Sequence, residues 1–222
     1  MTKTAQQSNQ KKGESWAIIA MILIGWSSYS FADVSLKLLA KDNFTVWQIL
    51  NNGAFFSAIA MGVWIYLSRG NKGFIPQEKG WTTLRCIVVA ILALSITNAF
   101  ALVPMADVYG ITFAAPFLTL ILVFLFLGEN VGWHRWLAVA VGFTGVLIIA
   151  GPKFAELNWG YLLALNAMVF IAISTIILRK VGKSDHPALY GFYPIVVIFF
   201  ITLPFTIREF MMPGWGDVWK FA

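Results

Sequence analysis

The sequence holds very few of the residues that bind metals or form cross-links. Its 222 residues include one cysteine, Cys86, and two histidines, His134 and His186. A single thiol excludes an internal disulfide and a cysteine-based metal cluster. The two histidines lie too far apart in the chain to indicate a metal site. We therefore expect neither a metal nor another cofactor.

Charge is equally scarce. Only 12% of the residues are charged, whereas soluble domains carry about 25%. Hydrophobic residues make up 59% of the chain, aromatic residues 16%, and the mean hydropathy is +0.76. A water-soluble fold of this length cannot bury so much apolar surface, so the sequence predicts an integral membrane protein whose surroundings are a lipid bilayer.

The net charge of +6 does not indicate a nucleic-acid partner. The basic residues lie in short segments between apolar runs, where they fix the orientation of membrane helices. A G-x-x-x-x-G-K-[ST] loop is absent from the sequence, so ATP is not expected to drive the protein directly. The last apolar run, 188–207, has no lysine for a retinal Schiff base, which excludes a seven-helix photoreceptor.

An intramembrane enzyme would need paired carboxylates, a histidine cluster or a serine–histidine couple at membrane depth. Asp33 is the one carboxylate that the hydropathy pattern places clearly inside the membrane, and neither histidine lies in the middle of an apolar run. We therefore do not expect an enzyme.

The apolar residues form seven runs, each close to the roughly 20 residues that a helix needs to cross a bilayer. The first run is too long for a signal peptide, so it is interpreted as a retained span after a polar tail, 1–15. The fold class is therefore all-α, a polytopic membrane helix bundle. The predicted spans are 16–39, 44–68, 82–103, 106–127, 133–150, 159–178 and 188–207.

Basic residues predict the orientation of these spans. With the N-terminus inside, eleven of the 16 lysines and arginines fall in inner segments and five in outer segments. Because basic residues concentrate on the cytoplasmic side, the N-terminus is predicted to be cytoplasmic. The expected location is the cytoplasmic (inner) membrane, as a multi-pass protein.

An internal repeat becomes visible when the chain is shifted by 143 residues. The shift crosses five spans, an odd number, so the second copy enters the membrane from the opposite side, as in the inverted repeats of secondary transporters. We expect 16–152 to be a first five-helix repeat and 159–222 to hold two spans of a second, giving seven of ten spans, with three more beyond Ala222. The aligned pairs include Trp16 with Trp159, Lys37 with Lys180, Asp42 with Asp185 and Trp47 with Tyr190.

Several motifs resemble one transporter family. They are Ala-Asp at 106–107, "ITFAAPFLT" at 111–119, "LGE" at 127–129 followed by W-x-R-W, and "GFTGVLIIAGP" at 142–152. The segment 98–152 in particular resembles the EamA-type half of the drug/metabolite transporter superfamily. Many relatives that carry Asp and Lys late in span 1 also carry an arginine in span 2; here that region reads "WQILNNGAFF", so the resemblance does not specify an anionic substrate.

The resemblance implies a ten-span secondary transporter with both termini cytoplasmic. The substrate pathway would lie between the first four helices of each repeat, with the fifth helices as scaffold. The expected function is transport of a small organic metabolite or drug across the cytoplasmic membrane by alternating access, as a permease or exporter. The alternative is a scaffold or half-size membrane protein that needs a partner, such as a second copy, to complete its bundle.

A polar and aromatic stripe in span 1 provides the first candidates for the pathway: Trp26, Tyr29, Asp33 and Lys37. Their spacing, i, i+3, i+7 and i+11, puts them on one helix face. Asp33 lies about 8 Å from the midplane, inside a hydrocarbon half-thickness of about 15 Å. A carboxylate facing lipid at that depth is costly, so we expect the stripe to face the bundle or a water-filled cavity. The alternative is an ion pair that fastens span 1 to its neighbours.

Polar residues in the other spans are further candidates for the pathway, and interhelical hydrogen bonding is the alternative for each. These are Gln48, Asn51 and Asn52 in span 2, Asn98 in span 3, Tyr109 and Thr112 in span 4, and Asn166, Ser174, Tyr190 and Tyr193 in the second repeat.

Other residues have predicted structural roles. Asp107 complements the helix dipole at the start of span 4, and Pro116 kinks that span and frees a carbonyl group. Glu129, at the end of the span, is held by Arg135 or by the free amides that open span 5. Small residues in span 5, Gly142 and Gly145, allow close helix packing, within the protomer or in a homodimer.

Overall fold

The computed structural model describes residues 2–128, 132–150, 158–181 and 187–211, and these residues form helices joined by short connections, with no strand among them. This confirms the predicted polytopic helical bundle. A short 3₁₀ helix, Gly70–Phe74, follows the second α-helix. The α-helices are α1 (Thr2–Lys41), α2 (Val46–Arg69), α3 (Lys79–Leu102), α4 (Met105–Thr112), α5 (Ala115–Leu127), α6 (Trp133–Ala150), α7 (Trp159–Val181) and α8 (Leu189–Arg208).

Six helical segments of the described chain are long and apolar enough to cross a membrane. One of them combines α4 and α5, which together form predicted span 4. The predicted span 133–150 is the 18-residue helix α6, which is not among the six. Helix α1 already begins at Thr2, inside the predicted polar tail. The six segments are Ile19–Lys41, Val46–Arg69, Lys79–Leu102, Met105–Phe126, Trp159–Lys180 and Leu189–Arg208.

The connections between α1 and α2 and between α3 and α4 are short because local residues end one helix and begin the next. Asn43 takes the left-handed conformation (φ 64°), which asparagine tolerates better than most residues. The Thr45 hydroxyl then caps α2 by accepting a hydrogen bond from the Gln48 amide. Between α3 and α4, only Val103 and Pro104 are non-helical. We call the side of the bundle that holds this α3–α4 turn the outer side, following the charge-based prediction.

Span 4 is not one continuous helix. Phe113 and Ala114 separate α4 from α5, and Pro116 occupies the first turn of α5. Proline has no amide hydrogen, so it cannot donate to the carbonyl of Thr112, four residues earlier. The chain tightens instead, and the Ala114 amide donates to the Ile111 carbonyl at 3.0 Å. As a result, α4 is a separate helix of eight residues on the outer side.

Helices α2 and α8 pack against each other along their length and run in opposite directions. Trp47, near the start of α2, stacks on Phe205, near the end of α8, with ring centroids 4.5 Å apart. Near the other end of the pair, Ile65 packs against Leu189. The predicted 143-residue repeat would make these two helices equivalent.

Helices α3 and α7 form the second long antiparallel pair. On the outer side, Phe100 and Val103 of α3 pack against Tyr161 of α7, and on the inner side Val88 packs against Ile177. The helices approach closely at Gly160, where an added Cβ would lie 2.7 Å from Val103 Cγ1. Both long pairs therefore join a helix of the first repeat to a helix of the second.

Helix α1 contacts the other helices only near its outer end. Every described side chain from Ile19 to Ala32 is exposed, whereas packing begins at Asp33. Near the outer end, Leu39 packs with Phe44 and Ile49 at the start of α2. Helix α1 therefore diverges from the bundle toward the predicted inner side.

Candidate functional site

Lys37 joins the outer end of α1 to the end of α3. Its Nζ donates a hydrogen bond to the Phe100 carbonyl and another, of 3.0 Å, to the Val103 carbonyl. The last carbonyl groups of a helix accept no hydrogen bond from within that helix, and the helix dipole favours a cation beside them. Lys37 thus caps α3 from a neighbouring helix.

Asp33, four residues before Lys37, binds a different helix. Its Oδ2 accepts a 2.7 Å hydrogen bond from the Tyr109 hydroxyl of α4. The Tyr109 ring is held in turn by stacking on Phe113, with centroids 5.7 Å apart, and by an edge contact with Phe100. The predicted pair of Asp33 and Lys37 therefore fastens α1, but through two separate partners.

A second tyrosine–carboxylate pair lies on the other side of α4. Asp107, in the first turn of α4 and only 6% exposed, accepts a 2.6 Å hydrogen bond from the Tyr161 hydroxyl of α7. Helix α4 is thus bound to α1 through one residue and to α7 through another, and the predicted repeat would make these two helices equivalent. We call Asp33, Lys37, Tyr109, Asp107 and Tyr161 the outer polar cluster.

The buried amides of α2 bind α8 and the residues after it. The Gln48 amide pairs with both main-chain groups of Met211: Nε2 donates to the carbonyl at 2.6 Å, and Oε1 accepts from the amide at 3.1 Å. Asn51 Nδ2 donates to the Phe199 carbonyl at 3.0 Å and to Thr202 Oγ1 at 3.1 Å. These contacts are the interhelical hydrogen bonds considered as the alternative for both residues, while the neighbouring Asn52 is half-buried.

Other candidates for the pathway do not join these groups. The Asn98 amide donates to the Leu94 carbonyl, and the Thr112 hydroxyl donates to the Val108 carbonyl, each within its own helix. Asn166 is exposed. Trp26 and Tyr29 are 65% and 64% exposed, so of the predicted stripe only Asp33 and Lys37 contact other helices by side-chain hydrogen bonds.

A cleft of about 640 Å³ separates α1 from α2. It lies on the side of α1 opposite the stripe, and its lining includes Phe31 and Phe56 with the hydroxyls of Ser27, Ser28 and Ser57. The volume is within the range of small-molecule pockets, about 300–1,000 Å³. The sequence analysis missed these serines, two of which are consecutive in α1 while the third lies in α2.

Arg85 is one of the eleven basic residues that the orientation prediction assigned to inner segments. The structure places it in contact with two other helices. Its Nε donates to the Tyr190 carbonyl of α8, and its Nη1 donates to both the carbonyl and the hydroxyl of Ser174 in α7, all at 2.9 Å. The sequence analysis named Ser174 and Tyr190 as candidates for the pathway, and the structure brings them together around this arginine. Tyr193 lies apart from them, and its hydroxyl donates to the Phe74 carbonyl.

The remaining structural predictions concern span 5 and its entry. A Cβ added at Gly142 or Gly145 would meet no heavy atom within 4 Å, so these glycines have no close helix contact within the described chain. A homodimer through them remains a prediction. Glu129 lies outside the described residues, and Arg135 is exposed at the start of α6.

Comparison with known proteins gives a family and several relatives. The model of the EamA-like transporter family matches residues 11–151. The S-adenosylmethionine uptake transporter of Rickettsia prowazekii is 28% identical over 88% of this chain and 66% of its own length. The riboflavin transporter of Vibrio cholerae is 29% identical over 64% of this chain and 48% of its own. The pseudopaline exporter of Pseudomonas aeruginosa is 24% identical over 82% of this chain and 70% of its own length.

The chain spans about two thirds of the length of the first of these relatives. One solved crystal structure has a similar fold, with a TM-score of 0.63 and 16% identity, over 86% of this chain and 70% of that one. Because the relatives are named as transporters, the scaffold alternative is not favoured. The bundle is that of a multi-pass membrane protein.

Proposed function

The chain belongs to the EamA-like transporter family, and we propose on this basis that the protein is a secondary transporter of a small organic metabolite. It would work by alternating access in the cytoplasmic membrane, with its N-terminus inside and without enzymatic activity. The 143-residue repeat and the greater length of the relatives support an arrangement of ten spans in two inverted repeats.

The divergence of α1 carries this proposal. Helix α1 meets α3 and α4 only near its outer end, through Lys37 and Asp33. The cleft with α2 begins at the same depth, beside Leu36 and Leu39, and continues to Ser27 near the middle of the predicted span. The contacts of α1 at its outer end support a pathway that is closed on the outer side.

The outer polar cluster is the proposed outer closure. For the outer side to open, α1 must separate from α4, which requires the Tyr109 hydroxyl to leave Asp33. The break at Phe113 and Ala114 separates α4 from α5, and we propose that α4 tilts at this point when the outer side opens. Asp33, Lys37 and Tyr109 would therefore line the outer half of the pathway.

Trp26 and Tyr29 are proposed to face the same pathway. They continue the stripe of Asp33 toward the inner side and are exposed in the described chain. In an inverted repeat, α1 is equivalent to α7, which packs along α3. We therefore expect the helix equivalent to α3 in the second repeat to face this part of α1.

The relatives support a substrate class. S-adenosylmethionine and riboflavin, named for two of them, each join a planar heteroaromatic ring system to a hydroxyl-bearing five-carbon unit. The cleft offers matching groups, because Phe31 and Phe56 can stack on a ring while Ser27, Ser28 and Ser57 can bond hydroxyls. We propose a ring-bearing, polyhydroxylated metabolite as the substrate.

Uptake by cells that express the full-length protein tests the function. Labelled S-adenosylmethionine and labelled riboflavin are offered to cells with wild-type protein, Asp33→Asn or the control Glu209→Gln, which changes an exposed carboxylate at the end of α8. Wild type and Glu209→Gln should accumulate at least one compound, or expel it when preloaded, and Asp33→Asn should reduce that rate about tenfold or more at equal protein yield. Flux no greater than in empty cells for both compounds would reject the proposed substrate class.

A further inference from the structure

Arg85 is a cation that the outer closure does not use. It follows the start of α3 by six residues, which places it about 9 Å along the helix from the predicted inner end. It is half-buried and bound between α3, α7 and α8. An arginine at membrane depth is costly, and such residues commonly line a substrate pathway or pair with another group.

The guanidinium is held by two of its three nitrogens. Nε and Nη1 donate to the Tyr190 carbonyl and to the carbonyl and hydroxyl of Ser174. Among the described residues Nη2 has no such acceptor, and every fully buried side-chain nitrogen there has a partner. Nη2 is therefore not fully buried, and its two hydrogens form no hydrogen bond within the described chain.

The charge of Arg85 is not neutralised by these contacts. Its three acceptors are two carbonyls and a hydroxyl, all uncharged, and no carboxylate of the described chain forms an ion pair with it. A guanidinium binds carboxylates and phosphates more strongly than neutral acceptors, because the hydrogen bonds are charge-assisted. The arrangement thus holds a cation in a fixed orientation, with no carboxylate of the described residues paired to it.

A second cation lies nearby, toward the inner end. Trp81 is one helical turn before Arg85, on the same face of α3, and Lys180 Nζ lies 4.3 Å from the centroid of the Trp81 ring. Two cations close together attract anions and raise their local concentration. An anion that enters from the inner side would pass Lys180 before it reaches Arg85.

We propose that Arg85 binds an anionic group of the transported metabolite, a carboxylate or a phosphate, through Nη2. This inference rests on the proposed function, and it adds that the protein distinguishes an anionic substrate from a neutral one of the same shape. A purely structural Arg85 would hold α3 to α7 and α8 without making that distinction.

Two ligand pairs that differ by one anionic group test the proposal. Flavin mononucleotide is riboflavin with a phosphate, and S-adenosylmethionine differs from its decarboxylated form by a carboxylate. Binding of all four compounds to the purified full-length protein is measured by ligand-dependent thermal shift. The wild type should bind the anionic member of at least one pair about tenfold more tightly, and Arg85→Gln should bind both members equally.

Two further variants separate a role of Arg85 in binding the ligand from a role in holding α3 to α7 and α8. Ser174→Ala removes one acceptor of Arg85 but keeps the charge, so the preference for the anion should persist. Arg85→Lys keeps a cation and should retain part of the preference. The proposal is overturned if wild type binds both members of each pair equally, or if Arg85→Gln, or a folded neutral substitute such as Arg85→Met, keeps the preference.

The same measurements separate this inference from the proposed function. Equal binding of the two members in both pairs overturns the role of Arg85 but leaves the substrate class standing. Binding of none of the four compounds overturns both. A preference that disappears when phosphatidylglycerol is added to the detergent would assign the site to a lipid headgroup and overturn the role in substrate binding.

Discussion

Tyr109 and Asp33 lie 76 residues apart in the sequence, and the hydroxyl of the first donates a 2.7 Å hydrogen bond to the carboxylate of the second. This contact ties α1 to α4, while Asp107 ties α4 to α7. The short helix α4 is therefore held between two helices that the predicted inverted repeat would make equivalent. A movement of α1 or of α7 would therefore act on the eight residues of α4.

Tyr109→Phe is expected to reduce transport more than stability. The change removes one hydrogen bond between helices, worth about 1 kcal/mol in a membrane, and keeps the ring that stacks on Phe113. The closed outer state loses its bond, so the balance between outward-open and inward-open states should shift and the transport rate should fall several-fold. Transport and melting temperature of the detergent-purified protein are compared with those of Tyr66→Phe, whose tyrosine is 58% exposed.

If Tyr109→Phe and Tyr66→Phe transport at the same rate, Tyr109 has no part in the outer closure. If the melting temperature and the protein yield of Tyr109→Phe both fall sharply, the contact serves folding of the bundle instead.

Gly160→Ala should destabilise the protein, whereas Gly80→Ala should not. Both glycines lie at the second position of a helix, but an added Cβ meets Val103 Cγ1 at 2.7 Å and Leu102 Cβ at 2.9 Å at Gly160, and nothing within 4 Å at Gly80. Overpacking of this kind costs about 1–3 kcal/mol. The melting temperatures of the two variants in detergent provide the measurement, and equal values would contradict the close approach of α7 to α3.

Asn51 and Asn52 are neighbours in sequence with different expected roles. Asn51 Nδ2 binds the Phe199 carbonyl and Thr202 of α8, whereas Asn52 is half-buried and remains a candidate for the pathway. Replacing Asn51 by leucine removes two interhelical hydrogen bonds, which contribute about 1–2 kcal/mol to the stability of the protein. The melting temperature should therefore fall. Replacing Asn52 by leucine should leave the melting temperature nearly unchanged and alter transport. The opposite pattern would exchange the two roles.

Six of the seven predicted spans correspond to helical segments that are long and apolar enough to cross a membrane, because such segments depend on local composition. The repeat stays a prediction. The partners of the polar residues were not predictable from the sequence. A helical pattern shows which face of α1 is polar, but it does not show that Asp33 meets Tyr109 while Lys37 meets the end of α3. Such pairings depend on how helices distant in sequence are arranged.

Two features escaped the sequence analysis for different physical reasons. Arg85 lies close enough to the end of its span to resemble a loop charge, and only its bonds to α7 and α8 show otherwise. The serines of the cleft gave little signal because a serine hydroxyl can bond to its own helix, as Ser28 does with the Ile24 carbonyl. An apolar span can thus contain a polar groove without any unusual residue.

Pro116→Ala should make the protein more stable and less active. Alanine restores the amide hydrogen that proline lacks, so the Thr112 carbonyl can be bonded and α4 can join α5 into one helix. If the break lets α4 tilt away from α1, a continuous helix should resist that tilt, and transport should fall while the melting temperature holds or rises. A matched control is Pro204→Ala, which removes a proline from inside α8, away from the outer closure. A Pro116→Ala protein that transports at the wild-type rate would mean that the break serves packing, and that the outer side opens by movement of α1 instead.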